Sequence, residues 1–106
     1  MESIKLRKWD VVEHLKTEED MAFYLEACLE EAGDDASFIA KVLGDIARAK
    51  GMTQLARETG LGRESLYKAL SGAGNPSFAT ILKVMNALGL QLHATQRRAH
   101  TEIGVP

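Results

Sequence analysis

Residues 52–72 read MTQLARETGLGRESLYKALSG, and their spacing is the most informative in the chain. Two short amphipathic stretches flank Gly60-Leu61-Gly62. A turn this tight needs backbone at positive φ, which glycine adopts without a side-chain clash, so both glycines are expected there. Ala56, four residues before Gly60, is small enough to let the two helices cross closely, and Leu66 and Leu70 point back toward a core. The spacing predicts a helix-turn-helix over about 52–72, a motif whose second helix can enter the major groove of DNA. With Leu66 and Leu70 inward, Arg63, Glu64, Ser65, Tyr67, Lys68 and Ser71 face outward or flank that face. Arg can donate two bonds to a guanine, Glu can accept from a cytosine amine, and Ser can do either. An ordinary amphipathic helix with a polar outer face has the same pattern, so residue types alone leave both readings open.

Outward from this segment the chain is punctuated by helix caps. Thr17 opens a helix with Glu18, Glu19 and Asp20 at its positive end, and Met21, Tyr24, Leu25, Cys28, Leu29 and Ala32 form its apolar stripe up to Gly33. Asp34-Asp35 precede a second helix over 36–50, with Phe38, Ile39, Val42, Leu43, Ile46 and Ala47 inward and Gly51 as its stop. Thr53 is expected to cap the third helix, which ends at Gly60, and the fourth runs from Arg63 to Ser71. After the loop of residues 72–76, Ser77 caps a fifth helix with Phe78, Ile81, Leu82, Met85 and Leu88 inward, and Gly89 ends it. Leu90-Gln91-Leu92-His93-Ala94 alternates with period two and predicts one short strand. The expected fold is therefore all-α: five helices with a helix-turn-helix, and one short C-terminal strand at most. Residues 1–16 read as an N-terminal arm carrying Ile4, Leu6 and Trp9, residues 17–95 as the helical domain, and residues 96–106 as a loose tail.

A chain of 106 residues suits one domain. Its net charge of −2 is the sum of two unlike parts: residues 1–35 carry 4 basic and 11 acidic side chains, and residues 36–106 carry 9 basic and 4 acidic. An acidic first third and a basic remainder suit a protein that meets DNA with one part only, and two simply solvated faces would show the same split. The single cysteine cannot form an internal disulfide, and no secretory leader is legible, so a cytoplasmic home is expected. His14, His93 and His100 are too scattered for metal-ligand spacing, and Ser65, Ser71 and Ser77 have no evident His–Asp partners. The Gly60/Gly62 and Gly72/Gly74 pairs follow no strand and lack the Lys-Ser/Thr of a phosphate loop. Neither metal nor cofactor is expected, and the reading is not that of an enzyme.

From about residue 36 to 95 the chain resembles helix-turn-helix domains of the Xre, or lambda-repressor-like, family. The stretch GDIARAKGMTQLARETGLGRESLYKALSGAGNPSFATILKVMNALGLQL resembles more narrowly the probable addiction module antidote proteins, which are HigA-like antitoxins; that likeness extends back to MAFYLEACLEEAGD. The resemblance implies a cytoplasmic homodimer that represses its own operon at an inverted-repeat operator and neutralises a small basic toxin of RelE/ParE-like fold. DNA contacts are expected at Thr53, Gln54, Arg63, Glu64, Ser65, Tyr67, Lys68, Asn75 and Ser77. The chain departs from the broader repressor pattern where Thr53-Gln54 abut Leu55-Ala56, which sets Gln54 two positions late, and where Gly62 replaces a polar capping residue. The acidic third, with Ile4, Leu6 and Trp9, is the expected toxin-facing part; the other reading of the arm is that Trp9 packs across the chain's own first helix. The alternative expectation is a helical protein-interaction module, or a general regulator without a toxin.

Overall fold

The computed structural model describes residues 13–96, and the arm residues Ile4, Leu6 and Trp9, together with the tail from residue 97, lie outside them. Among the described residues, from Glu18 on, five helices follow in order: α1 (Glu18–Ala32), α2 (Ala36–Lys50), α3 (Met52–Thr59), α4 (Arg63–Ala69) and α5 (Phe78–Ala87). Glu13 and His14 are also helical.

Local hydrogen bonds set most of the boundaries. The Thr17 side chain accepts from the Asp20 amide at 3.0 Å while the Asp20 carboxylate accepts from the Thr17 amide at 3.1 Å, a complete capping box at the head of α1. Asp35 accepts from the Phe38 amide and Ser77 from the Thr80 amide, so α2 and α5 begin as expected. α3 does not begin on Thr53: Gly51 takes its N-cap position without a side-chain bond, and Thr53 stands within the first turn.

The core joins all five helices around Leu43, Ile46, Leu55, Leu66, Val84 and Leu88. Its edge differs from the stripes read in the sequence. Phe78 and Leu82 on α5 are 65% and 40% exposed, and Val84 is buried in their place. Leu29 and Phe38 lie near the surface, whereas Leu15, which the sequence places in the arm, is buried in the core. Gly44 brings α2 against the end of α4: a Cβ there would stand 2.7 Å from the Leu70 carbonyl oxygen.

No strand forms at Leu90–Ala94, and no other strand exists among the described residues. A lone strand leaves its N–H and C=O groups without a ladder. The segment starts instead as the end of α5. Gly89 is left-handed at φ 79°, its amide donates to the Asn86 carbonyl, and the Leu90 amide donates to the Met85 carbonyl at 2.9 Å. This is a Schellman ending, and its apolar partners, Leu90 and Met85, are both buried.

Candidate nucleic-acid interface

α3 and α4 pack against each other across a three-residue turn, Gly60-Leu61-Gly62. Gly60 is left-handed at φ 77°, and its amide closes α3 on the Ala56 carbonyl at 3.0 Å. Gly62 has an ordinary extended conformation at φ −74°, so only one glycine of the pair is needed for its positive φ. The Thr59 hydroxyl, which the motif reading passed over, fixes the turn from both sides. It donates to the Leu55 carbonyl at 2.9 Å and accepts from the Leu61 amide at 3.2 Å. Ser and Thr hydroxyls commonly bind nearby backbone in this way, which is the signal that could have singled Thr59 out.

Leu66 is fully buried and Leu70 nearly so, while Arg63, Glu64, Ser65, Tyr67 and Lys68 are all exposed. One turn and a half of helix therefore presents two donor-rich cations, a carboxylate, a hydroxyl and a phenol to solvent. Arg63 and Tyr67 are four residues apart, and the guanidinium carbon lies 5.8 Å from the ring centroid. That is within cation–π range and holds the Arg63 side chain along the helix face.

The remaining candidates come from two other pieces. Thr53 and Gln54 are exposed in the first turn of α3, and the Gln54 amide donates to Glu58 at 3.0 Å. Asn75 and Ser77 are exposed around the start of α5. The Ser77 hydroxyl is already engaged in capping α5, accepting from the Thr80 amide and donating to the Thr80 hydroxyl, each at 3.1 Å. The loop between α4 and α5 is held by Ser37, whose hydroxyl donates to the Gly72 carbonyl at 2.7 Å. It also packs on α4, where a Cβ at Gly74 would be 3.1 Å from the Lys68 carbonyl oxygen.

Two titratable groups outside this face bear on how α1 is carried. Asp45 is buried on α2 and accepts from the Tyr24 hydroxyl at 3.1 Å and from the Arg48 guanidinium, which ties α1 to α2. Burial, with the Asp45 carboxylate beside it, pushes the Tyr24 hydroxyl far above the usual phenol range. Backbone N–H groups of Lys16 and Thr17 hold the Asp20 carboxyl below the usual carboxylate range.

Among the described residues no cluster of three His, Cys, Asp or Glu side chains could hold a metal ion, and no helix is long and apolar enough to cross a membrane.

The family model described as "Probable addiction module antidote protein" matches residues 5–96. An uncharacterized protein of Haemophilus influenzae is 53% identical over 94 residues, which cover 89% of this chain and 95% of that one. No solved structure matches the chain.

Proposed function

We propose, because the chain belongs to the probable addiction module antidote family, that it is the antitoxin of a toxin–antitoxin pair and that it represses its own operon through the α3–α4 helix-turn-helix. The observation that carries the DNA reading is the face of α4. Its two leucines are inward and its five polar or charged candidates are all accessible. In this reading the fold is that of the lambda-repressor-like domains. α4 enters the major groove, with Arg63, Glu64 and Ser65 in its first turn against base edges. Tyr67 and Lys68 reach the backbone or neighbouring edges, and Thr53, Gln54, Asn75 and Ser77 meet phosphates.

One α4 covers too few base pairs to define a unique site, so the protein acts as a cytoplasmic homodimer on an inverted repeat with half-sites about 34 Å apart. Exposed Phe78 and Leu82 of α5, with Leu92 beyond it, supply the apolar surface for that contact. Sedimentation at micromolar concentration, with and without operator DNA, tests the dimer.

The experiment on DNA is a titration of the chain's own promoter region at several salt concentrations. Arg63→Ala should weaken specific binding by about 1–3 kcal/mol if it forks a base. Lys68→Ala should weaken all sequences alike and flatten the salt slope by about one unit. Equal binding by wild type and Arg63→Ala across several sequences would remove α4's first turn from base reading. Salt-independent binding would remove phosphate contact altogether.

The toxin faces the acidic third. That surface is repelled by DNA and attracts a basic protein. Phe23, three-quarters exposed, stands on the side of α1 that carries Glu19, Glu26 and Glu30, and Ile4, Leu6 and Trp9 of the arm add apolar anchors. Deleting residues 1–12, which spares buried Leu15, should leave the fold and DNA binding intact and abolish neutralisation of the toxin. Neutralisation that survives the deletion would rule the arm out as the toxin contact.

A further inference from the structure

Between the C-terminal end of α1, the start of α2 and the loop before α5 lies an open groove of about 320 Å³. Leu29, Ile39, Pro76 and Ile81 line it, and Ala36 and Ala40 are too short to fill the space between them. Leu29 is 36% exposed at the mouth of the groove. The α1 rim is acidic. Glu26 precedes Leu29 by three residues and Glu30 precedes Gly33 by three, so helical spacing puts each exposed Glu on the same helix face as a groove residue. Asp34 continues the exposed rim. On the far side Lys41 packs along Gly72, beyond Ser37.

An apolar slot with a carboxylate edge selects its occupant by charge. Along the α1 edge, nucleic acid and anionic lipid are repelled by Glu26, Glu30 and Asp34, so the phosphate contact read above for Asn75 belongs to the loop edge alone. A second copy of the chain meeting this patch about a two-fold axis would set the acidic rim against its own copy wherever the rim lies near that axis. A basic protein segment with an apolar side chain satisfies both parts of the site. We propose that this groove seats an apolar anchor of a basic protein, the toxin of the module, while Glu26 and Glu30 meet the cations that flank the anchor. The assignment rests on the antitoxin reading and is independent of the arm. It places toxin against the loop that carries Asn75, on a surface built by α1, α2 and α5 together.

The test uses the full chain and the purified toxin of its module in calorimetric and kinetic titrations. Leu29→Arg blocks the mouth of the groove and adds a cation beside its acidic rim at a partly exposed position. It should weaken toxin binding about tenfold or more and leave the circular dichroism spectrum and thermal unfolding unchanged. The double variant Glu26→Lys/Glu30→Lys, at two exposed positions, should slow association about tenfold at low salt, with the difference shrinking as salt rises. Toxin affinity equal to wild type in Leu29→Arg overturns the proposal and leaves the antitoxin reading standing. A change of oligomeric state in Leu29→Arg with toxin affinity intact also overturns it, and makes the groove a contact between copies. Wild-type chain that does not bind toxin at all removes the antitoxin reading, and this assignment falls with it.

Discussion

Helix α1 runs for 15 residues and begins on a complete capping box, whereas α4 runs for 7 and begins on a glycine with no side-chain cap. α1 carries its own instructions: a cap, three acids at its positive end and four turns of backbone bonds. α4 is far below the length at which an isolated helix persists in water. It exists because Leu66 and Leu70 are buried among the other helices and because α2 narrows at Gly44 to receive its end. The difference bears on function. A helix made by its neighbours is held in a fixed pose, which suits the base reading proposed for α4. α1 buries Met21 and Leu25 against its neighbours and keeps a long acidic surface toward solvent.

The sharpest way to break this contrast is Leu66→Ala. It removes a fully buried side chain under α4 and should cost about 2–5 kcal/mol, read as a lower urea midpoint. DNA binding should fall with stability. A loss below about 1 kcal/mol would mean that α4 is less dependent on its neighbours than its burial implies.

Gly60→Ala comes next. Nothing crowds a Cβ at this position, but the left-handed backbone penalises one, so about 1–2 kcal/mol should be lost. Thr17→Ala should cost α1 about 1 kcal/mol through its cap. That cap also has a pH signature. Because the Asp20 carboxyl is lowered in the folded chain, its contribution is fully present above the unfolded carboxyl range and is lost as pH falls through the depressed folded value. Asp20→Asn should flatten that acid limb in a series of unfolding curves below about pH 4, and an unchanged limb would show that other carboxylates dominate. The smallest effect is a gain. Gly62 has extended backbone and open space around a Cβ, so Gly62→Ser supplies the missing cap of α4 and should add a few tenths of a kcal/mol. Together the two glycine variants separate the turn's need for positive φ from its lack of a cap.

The sequence by itself determined where most helices start and stop. Thr17, Asp35 and Ser77 cap α1, α2 and α5, and Gly51, Gly60 and Gly89 end α2, α3 and α5. Those decisions rest on bonds that span three to five residues, so the information lies within one turn. The helix-turn-helix candidates were legible for the same reason: once Leu66 and Leu70 turn inward, a rigid helix leaves Arg63, Glu64, Ser65, Tyr67 and Lys68 no other side.

What only the tertiary structure decided depends on how elements meet. Periodicity names an apolar stripe, but the neighbours choose which part of it is covered, so Phe78 stays exposed while Val84 and Leu15 are buried. The alternation at 90–94 describes a strand correctly in its own terms, yet a strand requires a second edge, and the described chain offers none. Asp45 reads as one more acid in a helix until Tyr24 and Arg48 close on it. The groove beside α1 has no sequence signature at all, because its walls come from residues far apart in the chain, brought together only by packing.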